Sequence, residues 1–149
     1  MTNQVILPRI MQLGAGASEA IPNVLSSLGC SRPLLITDKM MVQLGYATRI
    51  QETLVASGLK ADIFADTVPE PTVGSIQAGV DMARAGDYDS IIALGGGSPI
   101  DSAKAIGILA KLGGQMRDYK FPRNVTETGL PIIAVPTTCL LYTSDAADE

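Results

Sequence analysis

Ser90-Ile91-Ile92-Ala93-Leu94-Gly95-Gly96-Gly97-Ser98-Pro99-Ile100-Asp101-Ser102-Ala103-Lys104 joins an apolar run to a glycine triplet and then to a helix start. Ser90 to Leu94 is short, continuous and apolar, the pattern of a strand buried on both faces. The three glycines leave backbone N–H groups without side-chain cover, so a phosphate can approach the main chain closely. The helix that follows points its positive dipole end at the same place. Ser98 is a good N-cap, Pro99 suits the first helical position and Asp101 falls at the third. Ser98 and Asp101 are therefore expected to form a capping-box-like pair, with Asp in place of the longer Glu. A capped helix after a tight turn is the plainer reading. Three glycines between a buried strand and a helix start favour an anion site. The spacing is neither GxGxxG nor a Walker loop, since no Gly-Lys-Ser/Thr follows.

The same alternation of strand and helix repeats on both sides of this segment. Upstream, Leu34 to Thr37 reads as a compact strand ended by Asp38. Lys39 to Leu44 and Ala47 to Ser57 read as helix, broken near Gly45, with Ile50, Leu54 and Val55 at helical spacing. Ala61 to Ala65 is the next strand. Pro69-Glu70-Pro71 is a stiff loop, because each proline fixes its own backbone and restricts the residue before it. Thr72 caps a helix in which Ile76, Val80 and Ala83 share a face. Downstream, the helix from Pro99 runs to Leu112 and stops at Gly113-Gly114. Met116 to Leu130 reads as a long polar loop, and Ile132 to Val135 as the last strand. Near the start, Gln4 to Leu7 and Ile10 to Leu13 suggest edge strands or a hairpin around Pro8. Gly14 to Gly16 reads as a turn, and Ser18 as the N-cap of a helix to about Leu28. Met40-Met41 reads as core filler. Strands alternating with helices predict a doubly wound, mostly parallel α/β sheet with right-handed crossovers.

The totals agree with one globular domain. The chain has 149 residues, 46% hydrophobic and 17% charged, with a net charge of -4. No basic cluster is present, which argues against nucleic acid or an anionic membrane as partner. The two cysteines, Cys30 and Cys139, lack ligand-like spacing, and the start has no signal-peptide pattern. The apolar runs are too short to span a bilayer, so a cytoplasmic protein is expected. There is no histidine, so no reaction within this chain can use imidazole as base, shuttle or ligand.

Four segments in the same order carry a resemblance to a known family. GGGSPIDSAK resembles the signature loop of the iron-dependent, or group III, alcohol dehydrogenases. LLITDK resembles that family's second strand with its acidic end. VPEPT resembles its VPNPT loop, with Glu70 where Asn is common. IIAVPTT resembles the strand leading into its PTTAGTGSE stretch. The resemblance implies a Rossmann-like dinucleotide-binding domain over 1–138. It implies that Gly96, Gly97 and Ser98 hold the diphosphate of a nicotinamide cofactor. Asp101 would contact the nicotinamide ribose or hold the loop, unless it only complements the helix dipole. Asp38 would accept hydrogen bonds from the adenine-side ribose and repel a 2′-phosphate, favouring NAD over NADP. Its plainer role is the N-cap of the helix at Lys39. Glu70 would lie near the same ribose, or be a solvated loop acid. Thr137 and Thr138 would contact the phosphates or the nicotinamide end.

After Thr138 the resemblance stops. The family continues into an all-helical domain of about 200 residues, which supplies one aspartate and three histidines to iron or another divalent metal. Cys139 to Glu149 has no strand or helix pattern that continues the fold, and 139–149 is expected to be a non-native tail. The expected function is that of a fragment of a metal-dependent alcohol dehydrogenase, which moves hydride between NAD and a primary or secondary alcohol or aldehyde. The chain alone is expected to be inactive and to bind NAD weakly if at all. The family is commonly dimeric. Glycerol dehydrogenase, maleylacetate reductase and 3-dehydroquinate synthase share the fold and a similar loop, and stand as alternatives. A nucleotide-binding module without chemistry is the alternative of another class.

Overall fold

In a computed structural model, which describes residues 8–119 and 127–137, the strand before the glycines lies inside a parallel sheet. Its strands are β1 (Pro33–Ile36), β2 (Asp62–Phe64), β3 (Ser90–Gly95) and β4 (Ile132–Pro136), in the order β2-β1-β3-β4. The helices are α1 (Ile21–Ser27), α2 (Lys39–Gln43), α3 (Tyr46–Ala56), α4 (Val73–Ala85) and α5 (Gly97–Leu112). The doubly wound parallel sheet is as the sequence predicts.

Side chains on a strand alternate between faces, and both faces here are apolar. Leu34, Ile36, Ile91 and Ala93 face one layer with Ile76, Val80 and Ala83 of α4 and Ile100, Ala103 and Ile106 of α5. Leu35, Ile92 and Leu94 face the other with Ile21 and Leu25 of α1, Met41 of α2 and Ile50 and Leu54 of α3. Burying each large aliphatic side chain contributes roughly 1.5–3 kcal/mol. The central strands β1 and β3 therefore anchor the molecule.

Several local expectations are corrected. Ile10 to Leu13 is not a strand, and Gln4 to Leu7 lies outside the described residues. Ser18 does not cap an α-helix. Ala17–Ala20 is a 3-10 turn, and the α-helix starts at Ile21. Pro22 has no N–H to give the Ser18 carbonyl, which accepts from the Ile21 N–H instead, in the tighter pattern. α5 begins at Gly97, two residues before Pro99. Met116–Tyr119 forms a 3-10 turn inside the expected loop. The Tyr119 hydroxyl donates to the Gly113 carbonyl at 2.8 Å, and its ring packs against the core. Met41 is core, but Met40 is 63% exposed.

Candidate dinucleotide site

From β1 the chain passes through α2 and α3 to β2 on one side, then returns through α4 to β3 on the other. Strands that depart in opposite directions open a crevice at their carboxyl ends. A cleft of about 540 Å³ lies there. It is lined by Asp38, Lys39 and Met40 after β1, Asp66 to Pro69 after β2, and Gly96 to Pro99 after β3. A larger groove of about 780 Å³ runs between residues 8–14, α1 and β4. The smaller crevice is the candidate site, because it lies at the carboxyl ends of the strands where the sheet reverses direction and is lined by the glycine loop and Asp38.

The glycine triplet divides its work. Gly95 has φ 138°, and a Cβ there would sit 2.8 Å from Pro99 Cγ. Gly96 is the N-cap of α5 in extended conformation, and Gly97 and Ser98 are the first helical residues. Amides at these positions have no acceptor within the helix. Among the described residues, none of the Gly96, Gly97 and Ser98 N–H groups bonds to a protein carbonyl. All three residues line the cleft, so bare donors and a helix dipole meet at one place.

Asp38 takes the N-cap position and also stands beside the glycine loop. Oδ1 accepts from the Met41 N–H at 2.9 Å and caps α2. Oδ2 lies 3.4 Å from where a Gly95 Cβ would be, beside the glycine loop. Lys39 and Asp66 pair at 3.7 Å, both exposed. Met40 adds an apolar wall.

Other candidates move. Ser98 is not the N-cap; its hydroxyl donates to the Pro69 carbonyl at 2.7 Å and ties the glycine loop to the Pro69-Glu70-Pro71 loop. Asp101 lies past the first turn, outside the cleft lining, and pairs with Lys104 at 3.2 Å. The expected Ser98–Asp101 capping box does not form, because α5 starts two residues earlier on a glycine cap. Glu70 is exposed beside the cleft and does not line it. Thr137 is exposed, and its N–H donates to the Gly95 carbonyl at 3.0 Å, anchoring the loop to β4. Thr138 lies outside the described residues. Sequence reading missed Lys39, Met40, Asp66 and Thr67 as lining residues. The signal for them was their position at the ends of β1 and β2, the strands beside the glycine loop.

The residues do not fit a metal centre. The chain has no histidine, and the described residues hold no cluster of three acidic or thiol side chains. Nor, among the described residues, is any helix long and apolar enough to cross a membrane.

Fold and crevice together define a Rossmann-like α/β protein with its candidate site at the switch point of the sheet. More narrowly, the chain belongs to the iron-containing alcohol dehydrogenase family, whose model matches residues 8–140. It is 32% identical over 138 residues to the NAD-dependent methanol dehydrogenase of Bacillus methanolicus, covering 93% of this chain and 36% of that protein. Among solved structures, a 1,3-propanediol oxidoreductase superposes with a TM-score of 0.87 at 30% identity, over 93% of this chain and 36% of that one. The sulfoacetaldehyde reductase of Bifidobacterium kashiwanohense, solved in complex with NAD+, superposes with a TM-score of 0.81 at 27% identity over the same shares. The chain thus spans about a third of the length of the proteins it matches.

Proposed function

We propose that this chain is the dinucleotide-holding part of an alcohol dehydrogenase that exchanges hydride between NAD and a primary or secondary alcohol or its carbonyl product. The carrying observation is the set of Gly96, Gly97 and Ser98 amides, free of protein carbonyls among the described residues and belonging to residues that line the crevice at the start of α5. The diphosphate lies on these amides. The Asp38 carboxylate accepts from the adenine-side ribose hydroxyls and repels a 2′-phosphate, giving preference for NAD over NADP. Met40 offers a soft apolar surface to the adenine face. Two relatives support the cofactor class: the methanol dehydrogenase named as NAD-dependent and the reductase solved with NAD+. The three relatives are named for three different substrates, so none of those names selects the alcohol here.

The bound nicotinamide would supply the hydride chemistry; this chain's residues bind and orient it. Polarising the substrate oxygen falls to groups outside this chain's inventory, since the usual imidazole ligands are missing. We therefore propose that the 149-residue chain binds NAD weakly and does not oxidise alcohols by itself. The test is titration with NAD and NADP, followed by amide shifts in NMR spectra, for the protein and for Gly97→Val and Asp38→Ala. NAD should move the Gly96 to Ser98 amides, and Gly97→Val should abolish the movement. Equal responses from all three proteins would refute the site. Metal-dependent alcohol oxidation by the 149-residue chain would refute its inactivity.

A further inference from the structure

Two threonines at the root of the crevice have no role in this account of the cofactor, and both are buried. The β1–β3 ladder ends at the pair Ile36 and Ala93, and the β1–β2 ladder ends at Ile36 and Phe64. Past these pairs the Thr37 N–H still donates to the Phe64 carbonyl at 2.9 Å, and two side chains add further bonds. The Thr37 hydroxyl donates to the Leu94 carbonyl at 2.8 Å, and the Thr67 hydroxyl donates to the Thr37 carbonyl at 2.8 Å. The main chains can then diverge while a side-chain bond still ties each pair.

Buried hydroxyls are costly unless bonded, and aliphatic residues fill a core as well or better. Their place here follows from the crevice. Leu94 precedes the glycine triplet, Thr37 precedes Asp38, and Thr67 follows Asp66. Each hydroxyl bond thus fixes a residue adjacent to one that lines the cleft or shapes its loop. The Ser98 hydroxyl on the Pro69 carbonyl closes the circuit at the mouth.

We propose that Thr37 and Thr67 are positioning residues that set the span between the Asp38 carboxylate and the glycine-loop amides. The ribose and diphosphate of one dinucleotide are then held at a fixed separation. The idea rests on the dinucleotide reading above. It makes a distinction that simple destabilisation does not. A ligand that touches only the glycine loop is indifferent to the span, whereas a ligand that bridges loop and Asp38 depends on it.

The experiment compares NAD with inorganic pyrophosphate as probes of the protein and of Thr67→Val and Thr67→Ser, by NMR titration. Thr67→Val keeps the shape and leaves the Thr37 carbonyl without its donor. It is expected to weaken NAD about tenfold while pyrophosphate affinity holds, and Thr67→Ser is expected to restore NAD affinity. Unchanged NAD affinity in Thr67→Val, equal losses for both probes, or failure of serine to rescue overturns the proposal. Where Thr67→Val does not fold, Thr37→Ser carries the test. It keeps the hydroxyl but frees its rotamer, and should weaken NAD about threefold with pyrophosphate unchanged. An unaltered NAD affinity there overturns the proposal equally. If the unmutated protein ignores NAD, the dinucleotide reading itself has failed and this inference falls with it. If it binds NAD and only the variants behave alike, the inference alone has failed.

Discussion

Gly95 shows how much one residue can constrain the site. Its φ of 138° belongs to a region that side chains rarely enter, and Pro99 stands 2.8 Å from the position of an added Cβ. Gly95→Ala should therefore combine backbone strain with a clash against a rigid ring, costing about 3 kcal/mol. Urea unfolding would measure this, and a change under about 0.5 kcal/mol would show that the loop yields freely. Asp38 poses a different residue problem, because one carboxylate both caps α2 and faces the loop. Asp38→Asn separates the roles: asparagine caps as well as aspartate but has no charge to repel a 2′-phosphate. Stability should stay within about 0.5 kcal/mol while the preference for NAD over NADP narrows in paired titrations. A retained preference would move the discriminating group elsewhere. The glycine loop and Asp38 were legible in the sequence because each sits at a strand end. Ser98 and Asp101 were misplaced because side-chain capping preferences favour Ser98 as the start. A glycine cap leaves no such mark, and only the bond from Ser98 to Pro69 reveals what the hydroxyl does.

Between elements, α5, which starts at the glycine loop, packs closely against α4. Gly79 of α4 is buried, and a Cβ there would fall 2.3 Å from Ile106 Cδ1 and 2.9 Å from its Cγ1. The missing side chain lets the two helices approach. Gly79→Ala gains up to about 1 kcal/mol in helix propensity and loses about 1–3 kcal/mol to overpacking, so a net destabilisation is expected. Ile106→Val removes the atom nearest the new methyl. The double variant should therefore be more stable than the two separate changes sum to, by about 1 kcal/mol, in a thermal or urea double-mutant cycle. Additivity would show that Ile106 simply rotates away. This contact was invisible in the sequence, where Gly79 is one small residue in a helical pattern. The elements themselves were legible, since apolar runs between turn residues gave all four strands. The segment from Ile10 to Leu13 was not, because it is a short apolar run beside a proline, as an edge strand can be, but pairs with no strand among the described residues. Ile10, Met11 and Leu13 remain exposed.

For the molecule as a whole, the two edges of the sheet are built differently. The carboxyl edge diverges into the crevice, and the amino edge is pinned shut. Asp89, just before β3, accepts from the Ser31 N–H at 2.8 Å and the Arg32 N–H at 3.0 Å, tying the turn after α1 to β3. Burial alone would raise the Asp89 carboxyl. The Ser31 N–H, the Ser90 hydroxyl, the Arg32 N–H and the Ser31 hydroxyl together outweigh burial and hold it below its ordinary 3.8. On the same edge, burial and then the bond to Asp62 push the Tyr88 hydroxyl up to about 12 from 10.0. The two groups limit stability from opposite ends of the pH scale. Asp89 has a depressed folded value, so its contribution is present above 3.8 and is lost as pH falls through that lower value. Tyr88 has a raised folded value, so its contribution is present below 10.0 and is lost as pH rises to about 12. Asp89→Asn should cost about 1–3 kcal/mol near neutral pH and should flatten the acid limb of a stability-versus-pH curve. Tyr88→Phe should flatten only the alkaline limb. Because both changes lie at the edge away from the crevice, NAD-induced shifts of the Gly96 to Ser98 amides should survive in each folded variant. An acid limb unaltered in Asp89→Asn would mean that the amino edge is held by its apolar packing and not by this carboxylate.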